Sequence, residues 1–250
     1  MQWWPAALST PGRYNVENRF TRTEALLGTD AMSRLRGAKV AVFGIGGVGS
    51  YIAEALARAG VGSLVLVDGD EVAESNLNRQ LIAEKDTVGM RKVDAARKRI
   101  SAVAPDCIVE TYDLFYLPEN ADAVPLENLS YVADAVDTVS AKLEIITRAR
   151  AAGVPVISCM GTGNKLHPEL FEIAPIEKTS VCPLARVMRR ELKNRGITGV
   201  KVLYSREEPR TSPLPPTENR RSIPASISFV PSAAGLIIAG EIIQEITGVQ

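Results

Sequence analysis

Residues 39–80 decide the fold, and they read KVAVFGIGGVGSYIAEALARAGVGSLVLVDGDEVAESNLNRQ. The pattern predicts a valine-rich strand over 39–43, a glycine turn, a helix over 50–59 with one apolar face, and a second strand over 63–67. In such a unit the glycines let backbone amides approach a phosphate at the helix N-terminus. Asp68 ends the second strand, where it can accept a hydrogen bond from a ribose hydroxyl.

The glycine turn alone does not identify the nucleotide, because NAD, FAD and ATP all fit it. Two cations favour ATP, namely Arg79 and Lys92. The pyrophosphate of a dinucleotide is usually held by amides and a helix dipole, whereas reaction at a phosphate needs extra positive charge. Asn76 and Asn78 add neutral donors beside Arg79. The alternative is that both cations are solvated surface charges.

Strands and helices continue to alternate beyond this unit. The patterns predict a helix over 91–103, strands over 108–112 and 131–135, a helix over 142–152 and a strand over 154–159. We therefore expect an α/β fold with a doubly wound, mainly parallel sheet of the Rossmann type. In such sheets ligands bind beyond the carboxyl ends of the strands. The residues expected at these ends are Gly44, Asp68, Asp137 and Gly161.

Two carboxylates follow the strand predicted over 131–135. Asp137 lies nearer the sheet edge, where a carboxylate beside a triphosphate is a natural Mg²⁺ ligand. Asp134 competes with it, and can instead face the interior of the sheet or cap a neighbouring element. We expect Asp137 to be the metal ligand.

The composition limits the class of protein. The chain has 250 residues and a formal net charge of zero, so no global field draws it to nucleic acid or to a membrane. Three cysteines without a C-x-x-C pair fit a reducing cytoplasm and exclude a zinc site of that type. The apolar run over 223–240 is broken by two prolines. We predict a buried strand over 226–230, a core helix from about 232, and no integral membrane association.

The second half of the chain is basic. Residues 178–221 contain eleven Lys and Arg against four Glu. The stretch over about 205–222 is rich in proline and charge, which predicts a flexible loop. We expect an N-terminal arm followed by a single domain with an ATP-binding half and a substrate half. Their bounds are 1–18 for the arm, 19–250 for the domain, and 19–165 and 166–250 for its halves.

Several motifs occur in the order typical of the ubiquitin-activating-enzyme-like superfamily of adenylating enzymes, which the chain resembles. They are GIGGVG (44–49), DGD (68–70), SNLNRQ (75–80), VGMRK (88–92) and DAVD (134–137). The superfamily includes the activators of molybdopterin synthase and of the thiamine sulfur carrier. The resemblance implies that a carboxylate condenses with ATP, giving an acyl adenylate and pyrophosphate.

The resemblance also implies roles for the matching residues. Catalysis is expected to involve Arg79 and Lys92 at the phosphates and Asp137 at Mg²⁺. The ATP site is expected to comprise Gly44, Gly46, Gly47, Asp68, Asp70, Ser75, Asn76, Arg79 and Lys92. These enzymes usually work as homodimers, and Arg19 is expected to reach the partner's ATP as a further catalytic residue.

Outside the ATP motifs the chain resembles the tRNA threonylcarbamoyladenosine dehydratase branch, over residues 19–28, 161–179, 182–192 and 226–235. This likeness implies ATP-dependent cyclisation of the threonylcarbamoyl group on adenosine 37 of tRNA. The threonyl carboxylate attacks the α-phosphate, and the modification's own carbamoyl group then displaces AMP. No enzyme nucleophile is required, which leaves a role for Cys182 open. The branch is also linked to a monovalent cation, K⁺ or Na⁺, and a sulfur-transfer protein stays open as a partner.

Four basic residues with helical spacing are expected to face tRNA phosphates. They are Arg186, Arg189, Arg190 and Lys193, and the same surface is expected to extend to Lys201, Arg220 and Arg221. The alternative is a solvated helix face.

Two other functions stay open. The first is an adenylating activator of a small ubiquitin-like or sulfur-carrier protein, against which the missing C-x-x-C pairs and the basic second half argue. The second is an NAD-binding regulator or dehydrogenase, against which Arg79 and Lys92 argue.

Overall fold

The computed structural model describes residues 18–211 and 224–249. Within them the chain forms a seven-stranded sheet in the order β3-β2-β1-β4-β5-β7-β6. Adjacent strands are parallel except β6, which runs antiparallel to β7. The strands are β1 Lys39–Phe43, β2 Ser63–Val67, β3 Ile108–Tyr112, β4 Tyr131–Asp134, β5 Val156–Cys159, β6 Phe171–Pro175 and β7 Lys201–Ser205.

Helices cover both faces of the sheet. They are α1 Thr21–Leu27, α2 Thr29–Gly37, α3 Gly49–Ala59, α4 Lys92–Val103, α5 Val139–Ala151, α6 Pro183–Asn194 and α7 Phe229–Thr247. Successive side chains of a strand point to opposite faces of the sheet, so β1 contributes side chains to two separate hydrophobic cores. Val40 and Val42 pack with α2, α3, α4 and α7, while Ala41 and Phe43 pack with α5 and α6. The doubly wound, mainly parallel α/β sheet expected from the sequence is thus confirmed.

The strand predicted over 226–230 is wrong. No strand forms there, and α7 begins at Phe229 rather than at about residue 232. Pro231 lies in the first turn of α7, where a missing N–H costs no intrahelical hydrogen bond. Proline therefore fits inside this helix rather than before it.

Among the described residues, α7 has the length and apolar composition of a membrane-spanning helix. Its buried residues, which include Ala234, Ile238 and Ile242, belong to the core that packs against α3. A Cβ at Gly235 would lie 2.5 Å from the carbonyl oxygen of Val48, so the two helices cross at backbone distance. The apolar composition of α7 thus serves a packed helix crossing.

Two sequence predictions concern segments that are mostly outside the described residues. The arm expected over 1–18 is described only at Asn18, and most of the loop expected over 205–222 falls in 212–223. The residues just before this gap are held by backbone hydrogen bonds. Arg206 N–H donates to Leu170 O at 3.0 Å, and Arg210 N–H donates to Asn164 O at 2.8 Å.

Candidate active site

A cavity of about 370 Å³ lies at the carboxyl ends of the central strands. It is lined by the glycine turn after β1, by residues that follow β2, β3, β4 and β5, and by the first turn of α7. Predicted site residues that line it are Gly44, Gly46, Gly47, Asp68, Asp70, Asn76, Arg79, Lys92 and Asp137. The fold thus gathers most of the predicted site in one place.

The glycine turn is shaped by close contact with the turn after β4. Gly44 has a φ of +83°, and a Cβ on it would lie 2.8 Å from the carbonyl carbon of Ala135. No other residue type fits both the conformation and the space. At Gly46 the nearest atom to a Cβ is Gln80 Nε2 at 3.8 Å. The backbone at Gly46 is therefore open to the cavity, as a phosphate cradle requires.

Asp68 fastens the glycine turn to the end of β2. Its carboxylate accepts hydrogen bonds from Ile45 N–H at 2.6 Å and from Asp70 N–H at 2.8 Å. Burial raises the pKa of Asp68 above its usual value, although Lys92 and both amides act in the opposite direction. A carboxylate offers about four lone-pair sites, so capacity is left for a ribose hydroxyl.

Lys92, the first residue of α4, faces two carboxylates. Its Nζ lies 2.6 Å from Asp70 Oδ2 and 3.8 Å from Asp68 Oδ1, and its side chain is 8% exposed. The ammonium group has three donors. It can keep Asp70 and still donate to an anion in the cavity.

Arg79 is held at the other side of the cavity by one of its nitrogens. Nη1 donates to Ser75 O at 3.0 Å and to Asn78 Oδ1 at 2.9 Å. The remaining guanidinium donors are available to a ligand. Ser75 does not line the cavity, and its contribution is the carbonyl oxygen that binds Arg79. Asn76 lines the cavity, and its Oδ1 accepts a hydrogen bond from Ala73 N–H.

The two carboxylates after β4 have different environments. Asp134 is buried, and Lys142 Nζ lies 3.1 Å from its Oδ2. Ser158 donates a further hydrogen bond to it. Asp137 is exposed and lines the cavity. Asp134 is therefore occupied by a buried ion pair, and of the two carboxylates after β4 Asp137 is the one that faces the cavity.

Several cavity residues were not expected from the sequence. They are Gln80, Leu114, Phe115, Tyr116, Leu117, Thr138, Thr162, Ser226 and Pro231. Gln80 is 7% exposed, and its carbonyl oxygen has no hydrogen-bond partner among the described residues. Its position at the end of the SNLNRQ motif is the feature of the sequence that could have indicated a place in the site. The apolar segment 114–117 follows the edge strand β3 and carries no motif.

Arg19 lies outside the cavity. Its guanidinium group lies 2.6 Å from Asp106, just before β3, and stacks on Phe20. Since β3 begins at the sheet edge opposite the cavity, Arg19 does not reach the site of its own chain.

The basic residues of α6 do not form a single exposed row. Arg186, Arg190 and Lys193 are exposed, whereas Arg189 is half-buried and donates to Thr179 O at 2.7 Å. Lys201 does not extend this surface, because it pairs with Glu241 and with Glu245 of α7 on the other face of the sheet. Arg220 and Arg221 lie outside the described residues.

The cysteines are not part of the cavity lining. Cys182 is 2% exposed and occupies the N-cap position of α6, without a capping hydrogen bond from its side chain. Burial raises the pKa of Cys107 to about 11 and that of Cys159 to about 12, so both thiols stay protonated at neutral pH.

Residues 20–250 match the model of the ThiF family. A protein of Bacillus subtilis named tRNA threonylcarbamoyladenosine dehydratase is 39% identical over 248 residues, which cover 92% of this chain and 94% of that protein. A protein of the same name from Escherichia coli is 36% identical over 197 residues, covering 76% and 74%. The crystal structure of the E. coli enzyme in complex with ATP has a TM-score of 0.82 at 31% identity, covering 92% of this chain and 94% of that one. The chain belongs to the ThiF family.

Proposed function

We propose that the chain is an ATP-dependent tRNA threonylcarbamoyladenosine dehydratase, which cyclises the modification on adenosine 37 through a carboxyl adenylate. One observation carries the proposal. A single cavity combines a glycine turn open to phosphate with Arg79, Lys92 and Asp137, in a chain that aligns along nearly its full length with dehydratases. Cations beside a phosphate cradle suit substitution at phosphorus better than hydride transfer.

In the first step the threonyl carboxylate attacks the α-phosphorus of ATP. An O–P bond forms, the bond to the bridging oxygen breaks, and pyrophosphate leaves. Negative charge grows on the phosphoryl oxygens and on the leaving group. Arg79 offers free guanidinium donors, and Lys92 offers donors beyond the one held by Asp70. These two residues would stabilise the transition state.

Asp137 would hold Mg²⁺ in this site. Magnesium commonly binds through one or two carboxylates together with substrate phosphates and water. Asp137 fits this need because it is exposed, lines the cavity and follows β4 next to the glycine turn. When bound, the ion would neutralise charge on the phosphates. A monovalent cation, K⁺ or Na⁺, is a further proposal that rests on the family resemblance.

In the second step the carbamoyl group attacks the activated threonyl carbonyl carbon of the same modification. A ring bond forms, the bond to the phosphate oxygen breaks, AMP leaves and the carbamoyl group loses a proton. Ring closure on a bound adenylate gains from orientation alone, with effective molarities of ~10⁵ M or more when the groups are aligned. The reaction requires no enzyme nucleophile, which agrees with the buried position of Cys182 away from the cavity lining.

The proposal includes a cytoplasmic homodimer and a tRNA surface. A second copy would supply Arg19, which is far from its own cavity. The exposed α6 residues Arg186, Arg190 and Lys193 would contact tRNA phosphates. Arg189 would contact them with the guanidinium donors that its hydrogen bond to Thr179 O leaves free. A sulfur-transfer protein stays open as a further partner.

The experiment incubates modified tRNA with the chain, ATP, Mg²⁺ and K⁺, followed by mass spectrometry of nucleosides after mild digestion. We expect an ATP-dependent loss of 18 daltons from threonylcarbamoyladenosine. No loss from a protein that binds ATP would contradict the proposal.

A second candidate function is activation of a small ubiquitin-like or sulfur-carrier protein. The match to a yeast adenylyltransferase and sulfurtransferase favours it, with 37% identity over 142 residues, although these cover only 57% of this chain. Exchange of pyrophosphate into ATP that depends on a carrier ending in Gly-Gly, with no change in tRNA mass, would support this second function.

A further inference from the structure

We infer that Thr162 and Ser226 form the subsite that receives the threonyl carboxylate, and that Asn164 is the residue that positions Ser226 relative to Thr162. The inference rests on the proposed function and deepens it, because it names where the acceptor half of the substrate enters.

The strand order defines an axis along the edge of the sheet. Asp68 follows β2, and the apolar segment 114–117 follows β3, so this side suits the ribose and base. Gly44 and Asp137 follow β1 and β4 in the middle, where phosphates would lie. Thr162 follows β5, the next strand along, and closes the opposite side. A carboxylate that attacks the α-phosphate must enter from a side that the nucleoside does not fill, and this is the β5 side.

Ser226 borders the same end of the cavity through the Arg79 cluster. Arg79 Nη1 donates to Asn78 Oδ1 at 2.9 Å, and Asn78 Nδ2 donates to Ser226 O at 3.1 Å. One side-chain amide thus separates Ser226 from the cation proposed to bind phosphate. Ser226 therefore lies beside the reacting end of a bound nucleotide.

Hydroxyl groups suit an attacking carboxylate. A cation would pair with the carboxylate and reduce its nucleophilicity, whereas a neutral donor orients it at lower cost. Neither the Thr162 nor the Ser226 hydroxyl has a hydrogen-bond partner among the described residues, and both residues line the cavity. Both groups can therefore turn toward a ligand.

Asn164 joins the two loops that carry these hydroxyls. Its N–H donates to Ala225 O at 2.7 Å, and its Oδ1 accepts from Ala225 N–H at 2.7 Å. Its own carbonyl accepts from Arg210 N–H at 2.8 Å. A Cβ at Gly163 would lie 2.8 Å from Pro224 Cβ, so the loops are in direct contact. The residue next to this double hydrogen bond is Ser226.

Asn164 also adopts a conformation that few residues tolerate. Its φ is +59°, in the left-handed region where asparagine is enriched among non-glycine residues. Neither loop has regular secondary structure at this point. The position of Ser226 relative to Thr162 thus depends on Asn164 rather than on a helix or a strand.

The first test uses Thr162→Val and Ser226→Ala, with exposed Ser101→Ala on α4 as the matched hydroxyl control. We expect each cavity variant to lower kcat/KM for modified tRNA by about tenfold or more, as when a hydrogen bond to a charged group is lost. The Kd for ATP should stay within about twofold, because the nucleoside and phosphate contacts are intact. The control should match the wild type.

The second test uses two substitutions of Asn164. Asn164→Gly keeps the left-handed conformation but removes the side-chain acceptor, whereas Asn164→Asp keeps an acceptor oxygen. We expect the glycine variant to lose kcat/KM for tRNA with unchanged ATP binding, and the aspartate variant to recover most of it. A purely structural role would lower the Tm of the glycine variant, and it would reduce ATP binding and kcat/KM for tRNA together.

The outcomes separate the inference from the function on which it rests. Wild-type protein that removes 18 daltons, with unaffected Thr162→Val and Ser226→Ala variants, would overturn the subsite and keep the function. Equal losses of ATP affinity and of kcat/KM would assign the hydroxyls to the nucleotide and also overturn it. A wild-type protein without dehydratase activity would overturn both.

Discussion

At the scale of single residues, Arg79 lies between the glycine turn and the amide of Asn78. We predict that Arg79→Ala lowers the rate of adenylation ~10²–10³-fold, the loss typical of one oxyanion donor. Pyrophosphate release measures this rate directly. Arg97→Ala on α4, an exposed arginine outside the cavity, serves as the control. A loss below about threefold would remove Arg79 from the mechanism.

The pair formed by Asp134 and Lys142 is fully buried beneath the cavity. Lys142→Met leaves the Asp134 carboxylate without its cation, so we predict a loss of about 3–5 kcal/mol in the free energy of unfolding. The double variant Asp134→Asn, Lys142→Met should recover part of that loss, since no buried charge is left. Urea unfolding measures both. Lys98→Met, from the exposed pair with Asp86, should change stability by less than about 1 kcal/mol.

The sequence predicts the side chains of the site better than their partners. Asp137 was expected at the sheet edge from its place after a strand. The occupation of Asp134 depends on Lys142 and Ser158, which the pattern around DAVD does not reveal. The place of Ser226 in the site is more difficult to predict, because Asn78 binds its carbonyl and Asn164 holds the neighbouring Ala225, both from distant parts of the chain. Local motifs indicate which polar side chains belong to the site, while tertiary contacts decide which of them stay free to bind a ligand.

At the scale of elements, the crossing of α3 and α7 depends on a glycine. A Cβ at Gly235 would lie 2.5 Å from Val48 O and 2.9 Å from Tyr51 Cβ. We therefore predict that Gly235→Ala is destabilising, by roughly 1–3 kcal/mol as for an overpacked core. Gly240→Ala on the same helix meets nothing within 4 Å and should stabilise by about 0.5–1 kcal/mol. Opposite signs in urea unfolding would confirm the close crossing, and equal effects would contradict it.

Strong local patterns define the elements of the first half of the chain. The predicted bounds of β1, β2 and β3 agree with the structure, because each is a short apolar or β-branched run next to a turn signal. The antiparallel edge strand β6 was not predicted, since its residues are half-buried and end at Pro175. The predicted start of α7 is wrong because Pro231 indicates a boundary in the sequence but lies in the first turn of the helix. Position within a helix, rather than residue type alone, decides whether proline breaks it.

At the scale of the whole molecule, the proposed role of Arg19 is to complete the site of a second copy of the chain. It pairs with Asp106 at the sheet edge opposite the cavity, so in the proposed dimer it would act on the partner's site and not on its own. We predict that Arg19→Ala and Arg79→Ala are each inactive alone. A mixed dimer of the two has one site with an intact Arg79 that receives Arg19 from the other chain. Purified heterodimers should thus have about half of wild-type activity, and an unpurified random mixture, of which half is heterodimer, about a quarter.

The matched control mixes Arg79→Ala with Lys92→Ala. Both residues belong to the same chain's cavity, so every site in the mixed dimer lacks one of them and no activity should return. The measurement is the loss of 18 daltons from modified tRNA, using heterodimers purified through two different tags. An active Arg19→Ala protein would exclude Arg19 from catalysis. Inactive Arg19→Ala and Arg79→Ala homodimers whose heterodimer is also inactive would exclude the exchange of arginine between subunits.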